Sequence, residues 1–152
     1  MASHTASVVI SQDINRVYAI AATYPLFVDF YEEKEILYQN ETNISVKISS
    51  RFFAIVRFTW EGNGIKEKNQ KITWVQSKGL LHGLRVIWRF ESLEFKTRVT
   101  IECIYDPHVL VVGKLIGELA TFFFIMGTPE RILLCLKKAC ESKMSNSANK
   151  IL

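Results

Sequence analysis

The chain has 152 residues, of which 49% are hydrophobic and 12% aromatic, and its mean hydropathy is +0.12. This composition excludes an intrinsically disordered chain, and the length predicts one domain with a substantial core. The net charge is only +4 and the basic residues are scattered, so we expect no nucleic-acid partner.

The cysteines and the N-terminal residues indicate a reducing compartment. Cys103, Cys135 and Cys140 form no Cys-x-x-Cys motif, and no leader with a charged start and an apolar middle precedes Ala6. We therefore expect a cytoplasmic protein. Neither a metal-ligand spacing nor a glycine-rich phosphate loop is found, so we expect no metal and no other cofactor.

The first elements are a strand and two short helices. Residues 6–11 have the β-branched content of a strand, and Asp13 can cap a helix whose apolar residues begin at Val17. Tyr24-Pro25 ends that helix, because the residue before a proline avoids the α region. A second short helix is predicted to restart at Pro25 and to continue toward Phe30.

The chain from Glu32 to Asp106 reads as antiparallel strands, because apolar and polar residues alternate through it. Turns are predicted at Asn63-Gly64 and at Glu67-Lys68-Asn69. Each strand therefore has one apolar face. These faces include Ile44, Val46 and Ile48; Phe58 and Trp60; Ile72, Trp74 and Gln76; Val86, Trp88 and Phe90; and Val99, Ile101, Cys103 and Tyr105.

The C-terminal third predicts a long, interrupted helix. Leu115 to Met126 has the spacing of an amphipathic helix, and Gly127-Thr128-Pro129 interrupts it before Leu133 and Leu136 continue the apolar face. We expect one domain over residues 1–143 and a flexible tail over 144–152.

Three consecutive phenylalanines, Phe122 to Phe124, cannot all face one side of a helix, because successive residues turn by about 100°. One interpretation is a helix that closes the mouth of a pocket and is buried on two sides. The alternatives are a homodimer contact or a contact with a membrane surface. The segment from Val109 to Met126 carries Lys114 and Glu118, which makes it a poor transmembrane span.

The order of strand, two short helices, six strands and a final helix resembles the helix-grip fold of the START-like superfamily. Within it, the chain is similar to the polyketide aromatase/cyclase and polyketide cyclase/dehydrase branch. Residues that carry the resemblance are Tyr24-Pro25, Phe27, Tyr31, Glu35-Ile36-Leu37, Trp60, Trp74, Gly83, Trp88-Arg89-Phe90 and Leu136 to Glu141. The implied fold is α+β, with a curved antiparallel sheet of about seven strands wrapped around the long C-terminal helix.

The resemblance also implies a deep apolar pocket between the sheet and the last helix. Tyr31 is where the family has a tyrosine proposed to act on a bound poly-β-ketone, which makes it the candidate catalytic residue. The family's inward arginine aligns near Gly62, and Arg57 is predicted to face the other way. The candidate ligand-binding residues are Phe27, Tyr31, Phe58, Trp60, Trp74, Gln76, Trp88, Tyr105, Phe122, Phe123 and Met126.

Two functions are compatible with this pattern. The first is a polyketide cyclase or aromatase whose apolar substrate is delivered by an acyl carrier protein, with Tyr31 donating a hydrogen bond and the tryptophans forming walls. The second is a non-catalytic lipid or quinone carrier of the same fold, favoured by the missing inward arginine and by the phenylalanine-rich final helix. Each tryptophan can equally be a core residue without a ligand.

Overall fold

A computed structural model of the chain describes residues 2–52, 56–78, 83–105 and 128–151. Seven strands in this part form one antiparallel sheet, and two helices accompany them, which confirms the expected α+β helix-grip fold. The strands are β1 (Ala2–Ile10), β2 (Glu33–Gln39), β3 (Asn43–Phe52), β4 (Val56–Glu67), β5 (Lys71–Lys78), β6 (Arg85–Leu93) and β7 (Lys96–Tyr105). The helices are α1 (Ile14–Ala21) and α2 (Thr128–Ile151).

The sheet has the order β1-β7-β6-β5-β4-β3-β2. Strands β2 to β7 therefore pair with their neighbours in sequence, whereas β1 pairs with β7 at the far edge, with Val8 opposite Val99. The helices pack against one face of the sheet, which is called the inward face below. Along the middle of that face, one cross-strand row contains Ile44, Gly64, Trp74, Val86 and Cys103.

Helix α1 begins as the sequence predicts. The carboxylate of Asp13 accepts a hydrogen bond from the backbone N–H of Arg16, with an N···O distance of 3.2 Å. This bond satisfies one of the donors that a helix leaves free at its start. Val17, Ile20 and Ala21 are buried against the sheet, as the apolar spacing indicates.

The second short helix predicted from Pro25 is wrong, because residues 22–27 form successive turns instead. Their hydrogen bonds join residues three apart: Leu26 N donates to Thr23 O at 2.9 Å, and Val28 N donates to Pro25 O at 3.0 Å. An α-helix needs bonds between residues four apart, and Pro25 has no N–H to contribute one. The segment is a compact loop that places several aromatic rings beneath the sheet.

Helix α2 begins at Thr128, within the break predicted from the sequence. Leu133, Leu136 and Cys140 are buried along its inward side. It runs in the same direction as β1, as shown by three contacts: His4 with Glu130, Val9 with Lys137, and Ser11 with Glu141. Therefore the start of α2 covers the same end of the sheet as the start of β1.

The backbone of α2 is helical to Ile151. The flexibility predicted for residues 144–152 stays a prediction. The predicted amphipathic segment from Leu115 to Met126 lies outside the described residues. Among the helices in the described ranges, none combines the length and the apolar character needed to cross a membrane.

Candidate ligand-binding site

A cavity lies between the inward face of the sheet and the first turn of α2, and its volume is about 40 Å³. A water molecule needs at least roughly 10–15 Å³ of such space, so about three waters fit. This volume is much smaller than that of the deep pocket that the resemblance implies. The described lining residues are Tyr24, Tyr31, Val46, Ile48, Trp60, Gly62, Trp74, Val75, Gln76, Val86, Trp88, Ile101, Cys103, Thr128, Pro129 and Ile132.

Aromatic rings form most of one wall, and Tyr24 is at their centre. The centroid of its ring lies 5.0 Å from that of Trp74, 5.3 Å from that of Trp88 and 6.1 Å from that of Tyr31. Each pair meets edge to face, the arrangement that the charge distribution of aromatic rings favours. Tyr31 extends the cluster to Trp60 at 5.7 Å. The wall is thus a connected set of rings from the loop and from strands β4, β5 and β6.

The hydroxyl groups of Tyr24 and Tyr31 form a buried pair with an O···O distance of 2.7 Å. Burial is the main cause that raises the pKa of both phenols above their ordinary value of 10. Both therefore stay protonated at neutral pH. Two hydroxyls carry two protons, and the bond between them uses one. The pair can consequently donate one further hydrogen bond but cannot act as a base.

The loop that carries both tyrosines is held from two sides. The ammonium of Lys34 donates to the carbonyl oxygens of Leu26 and Val28 at 2.9 and 2.6 Å. From α2, the guanidinium of Arg131 lies 4.2 Å from the centre of the Phe30 ring, a distance at which a cation is attracted to the ring face. These contacts fix the position of Tyr31 relative to the sheet.

The predicted turn at Asn63-Gly64 is wrong, because β4 continues through both residues. Gly64 lies opposite Trp74 of β5 and Ile44 of β3. A Cβ atom on Gly64 would be 2.8 Å from Ile44 Cγ2 and 3.0 Å from the Trp74 ring, so the glycine makes room for the indole. The second predicted turn is confirmed at residues 68–70, with Asn69 in the left-handed region at φ 59°.

Gly62 faces the cavity, at the position where the resemblance places an inward arginine. Arg57 faces the other way, as predicted, and pairs with Glu33 on the outer surface. The inward cation on β4 is Lys66, whose pKa is lowered by burial and which does not line the cavity. The described cavity wall therefore has no cationic side chain.

Cys103 is a potential nucleophile on the cavity wall, but burial raises the pKa of its thiol to about 12. A thiol with such a pKa is protonated at neutral pH and reacts poorly. No group of histidine, cysteine and carboxylate side chains that could hold a metal ion occurs among the residues the structure describes. The polar chemistry of the described wall therefore depends on neutral hydrogen-bonding groups.

The structure brings five of the candidate ligand-binding residues together around the cavity, and their roles as ligand contacts stay predictions. They are Tyr31, Trp60, Trp74, Gln76 and Trp88. Phe27 lies behind the wall, where its ring contacts Tyr24 and Trp88. The side chains of Phe58 and Tyr105 are outside the described part, as are Phe122, Phe123 and Met126.

Three features of the site are not predicted from the sequence: the position of Tyr24 at the centre of the rings, the continuation of β4 through Gly64, and the role of Lys34 in holding the loop. A sequence signal for Lys34 exists, because it lies two residues before Ile36 and therefore shares the face of that apolar residue on β2. Nothing local could have identified the Tyr24–Tyr31 pair, because the bond depends on the path of the loop.

A seven-stranded sheet wrapped against a long C-terminal helix, with an aromatic-lined space between them, defines a START-like helix-grip protein. The family model described as polyketide cyclase / dehydrase and lipid transport matches residues 12–129, which is most of the chain. The chain therefore belongs to this polyketide cyclase / dehydrase and lipid transport family. Among curated proteins, none matches the sequence closely enough to count as a relative.

Solved structures with the same fold include TTHA0849 from Thermus thermophilus, with a TM-score of 0.78 and 15% identity over 93% of this chain and 99% of that chain. The Zhui aromatase/cyclase from Streptomyces sp. R1128 has a TM-score of 0.73 and 14% identity, over 94% and 95% of the two chains. The di-domain StfQ from the steffimycin biosynthetic pathway has a TM-score of 0.71 and 11% identity, over 94% of this chain and 51% of that one. Identities this low show a common fold, not a common activity.

Proposed function

We propose that the protein binds an apolar, polyketide-like or polycyclic molecule between the sheet and α2, and that it acts on it as a polyketide cyclase or aromatase. The observation that carries this proposal is the neutral Tyr24–Tyr31 hydroxyl pair, buried in a mostly apolar wall. Family membership supports the class of ligand, because the family covers polyketide cyclases, dehydrases and lipid transport. Two structural neighbours with this fold are aromatase/cyclases, so this class of reaction is the one that we test.

The hydroxyl pair suits the charge that develops in an aldol closure. In that reaction, the enol carbon of one β-dicarbonyl unit bonds to the carbonyl carbon of another as the π bond of that carbonyl breaks. The carbonyl oxygen gains negative charge and takes up one proton, and the enol hydroxyl releases one proton as it becomes a ketone, so no net proton is consumed. A phenol held in a dry site can donate a hydrogen bond to this oxygen. If Tyr24 donates to Tyr31, the Tyr31 proton is free for the substrate and is polarised by the first bond.

Ligand binding requires the cavity to grow. Pockets for small molecules usually enclose roughly 300–1,000 Å³, whereas this cavity encloses about 40 Å³. A polycyclic ligand must therefore displace part of the wall. We expect a structure of the protein with a bound polycyclic phenol to show a cavity several times larger, with the Trp60 and Trp74 side chains in contact with the ligand.

The test of catalysis compares two substitutions of nearly equal shape, Tyr31→Phe and Tyr24→Phe. If Tyr31 donates to the reacting carbonyl, Tyr31→Phe lowers turnover of a poly-β-ketone thioester by about tenfold or more without a loss of affinity. Tyr24→Phe leaves the Tyr31 hydroxyl in place and should have a smaller effect. Rates and product distributions are measured by chromatography. An unchanged rate and product distribution in Tyr31→Phe would contradict the catalytic role.

A second candidate function is a non-catalytic lipid or quinone carrier. The observation that favours it is Gly62, which supplies no functional group where the family resemblance places an arginine. A carrier should move a fluorescent lipid or quinone between vesicles at a rate that rises with protein concentration. Transfer that is unaffected by Tyr31→Phe, together with no cyclisation of the thioester, would favour the carrier over the cyclase.

A further inference from the structure

Two buried polar atoms of the cavity lining have no hydrogen-bond partner among the described residues: Trp74 Nε1 and Gln76 Oε1. The Trp74 side chain is 6% exposed, and Gln76 is partly buried. Most buried polar atoms in native proteins are paired, so each exception needs an explanation. The two other such atoms, Arg16 Nε and Asn69 Oδ1, belong to residues that do not line the cavity.

The two residues are held next to each other by the sheet. They are two positions apart on β5, so their side chains leave the same face of the strand. Trp74 lies opposite Gly64, and Gln76 lies opposite Gly62, so neither has a side chain facing it on β4. The backbone of Gln76 also bonds to the two residues that precede β6: its N–H donates to Leu84 O, and Gly83 N–H donates to its carbonyl, both at 3.0 Å.

The Trp74 indole cannot easily turn to find a partner. Its ring lies against the backbone of Gly64, where a Cβ would be 3.0 Å away, and the Tyr24 ring packs edge-on against it at 5.0 Å. The indole can only donate a hydrogen bond, whereas an amide oxygen can only accept one. The residues of the cavity wall therefore carry one fixed donor and one acceptor just behind the open space, in addition to the spare proton of the tyrosine pair.

We infer that Trp74 and Gln76 select a ligand that carries both a ketone oxygen, which accepts from Trp74, and an enol or phenol hydroxyl, which donates to Gln76. This inference rests on the proposed function and specifies its substrate class as hydroxylated, ketone-bearing molecules such as partly cyclised polyketides. A hydrocarbon chain satisfies neither atom. A quinone has acceptors but no donor, so it cannot pair with the Gln76 oxygen, and unpaired buried groups are what makes such sites selective.

In the free protein both atoms are shielded from the water-sized space of the cavity, so neither has a hydrogen bond to lose. A ligand that enlarges the cavity and bonds to both atoms gains these hydrogen bonds, whereas a ligand that cannot bond to them gains none. The inference thus predicts a ranking among ligands of equal ring size.

The experiment measures the binding of three probes with one ring system: naphthalene, 2-acetylnaphthalene and 6-hydroxy-2-acetylnaphthalene. The wild-type protein should bind the hydroxylated ketone most tightly and naphthalene least tightly. Trp74→Phe keeps an aromatic ring without the N–H and should weaken both ketones by about tenfold, a typical effect of one buried hydrogen bond. Gln76→Met keeps the length of the side chain and should weaken only the hydroxylated ketone by a similar factor. Because Trp74→Phe also removes part of a ring that contacts the ligand, the change for each ketone is measured relative to the change for naphthalene in the same variant.

A second measurement does not depend on the variants' stability. The indole N–H resonance of Trp74 should lie further downfield with both ketones than with naphthalene, whose ring current is shared by all three probes. If none of the probes binds, the proposed function is overturned together with the inference. If all three bind but lose affinity equally in both variants, or if the indole resonance responds to naphthalene as it does to the ketones, the inference alone is overturned.

Discussion

At one end of the space beneath the sheet, Ile10, Val17 and Leu136 are completely buried, and none of them lines the cavity. At the other end, the same sheet and the same helix enclose a cavity of about 40 Å³ bordered by Gly62, Trp74 and Gln76. We call these regions the packed end and the cavity end. The first is covered by α1 and the middle of α2, and the second by the loop and the first turn of α2.

The difference comes from the shape and polarity of the side chains. Branched aliphatic residues at the packed end interdigitate closely, and such packing contributes most of the stability of a core. At the cavity end, the flat Trp74 ring lies opposite Gly64 and Gln76 lies opposite Gly62, and tyrosine hydroxyl, indole N–H and amide groups occur among the rings. We therefore expect the packed end to stabilise the fold and the cavity end to bind the ligand. Four predictions test this division.

If the packed end carries most of the stability, Leu136→Ala should have the largest effect. Removing this fully buried side chain should lower the free energy of unfolding by about 3–4 kcal/mol, because it leaves a cavity that neighbours cannot fill. The matched control is Leu134→Ala, since Leu134 is 57% exposed on the same helix; its effect should stay below about 0.5 kcal/mol. Urea unfolding measures both. Equal losses in the two variants would contradict the division between the ends.

Alkaline pH should destabilise the protein through the cavity end. The pKa values of Tyr24 and Tyr31 are raised by burial in the folded state, so the unfolded chain loses these protons first. The stabilising effect of the buried neutral phenols is complete below the unfolded-state value of about 10 and is lost as the pH rises toward the folded-state value. At pH 11, the free energy of unfolding should be lower by roughly 2–3 kcal/mol than at neutral pH because of these two tyrosines.

The matched variants for this pH effect are the double substitution Tyr24→Phe with Tyr31→Phe, and Tyr38→Phe at an exposed position. The double variant should lose stability less steeply between pH 9 and 11, whereas Tyr38→Phe should follow the wild type. Unfolding at a series of pH values provides the measurement. A double variant with the wild-type slope would show that other groups cause the alkaline loss.

Gly64→Ala should have the next largest effect, because its added methyl group would meet Ile44 Cγ2 at 2.8 Å and the Trp74 ring at 3.0 Å. We expect a loss of about 2 kcal/mol, typical of an overpacked core. The Trp74 indole would also shift, so tryptophan fluorescence should change. A variant as stable as the wild type, with unchanged fluorescence, would show that the indole is not fixed by this glycine.

Gly62→Ala should have the smallest effect on stability. The nearest atoms to its added methyl group are 3.8 Å or more away, which is ordinary contact, so the free energy of unfolding should change by less than about 0.5 kcal/mol. The methyl group would nevertheless occupy part of the cavity, and binding of 6-hydroxy-2-acetylnaphthalene should weaken. Together with Gly64→Ala, this variant separates the volume of the cavity from the stability of its wall.

The sequence alone determined the elements with strong local signals. Alternation of apolar and polar residues predicted the five strands from β3 to β7, Asp13 predicted the start of α1, and the spacing of Leu133 and Leu136 predicted the buried side of α2. These predictions succeed because periodicity reports which face of a helix or strand is buried, and neighbouring residues are enough to define it. The inward orientation of Trp60, Trp74 and Trp88 follows from the same alternation.

Tertiary structure decided the features that create the site. Asn63-Gly64 has the local signature of a turn, but pairing with β3 and β5 keeps it in a strand, and Trp74 of β5 uses the space above Gly64. The loop after α1 brings the Tyr24 and Tyr31 hydroxyls together, although each position alone shows only an aromatic residue near a proline. Such contacts join atoms from distant parts of the chain, so they depend on strand register and packing, which no short stretch of sequence contains.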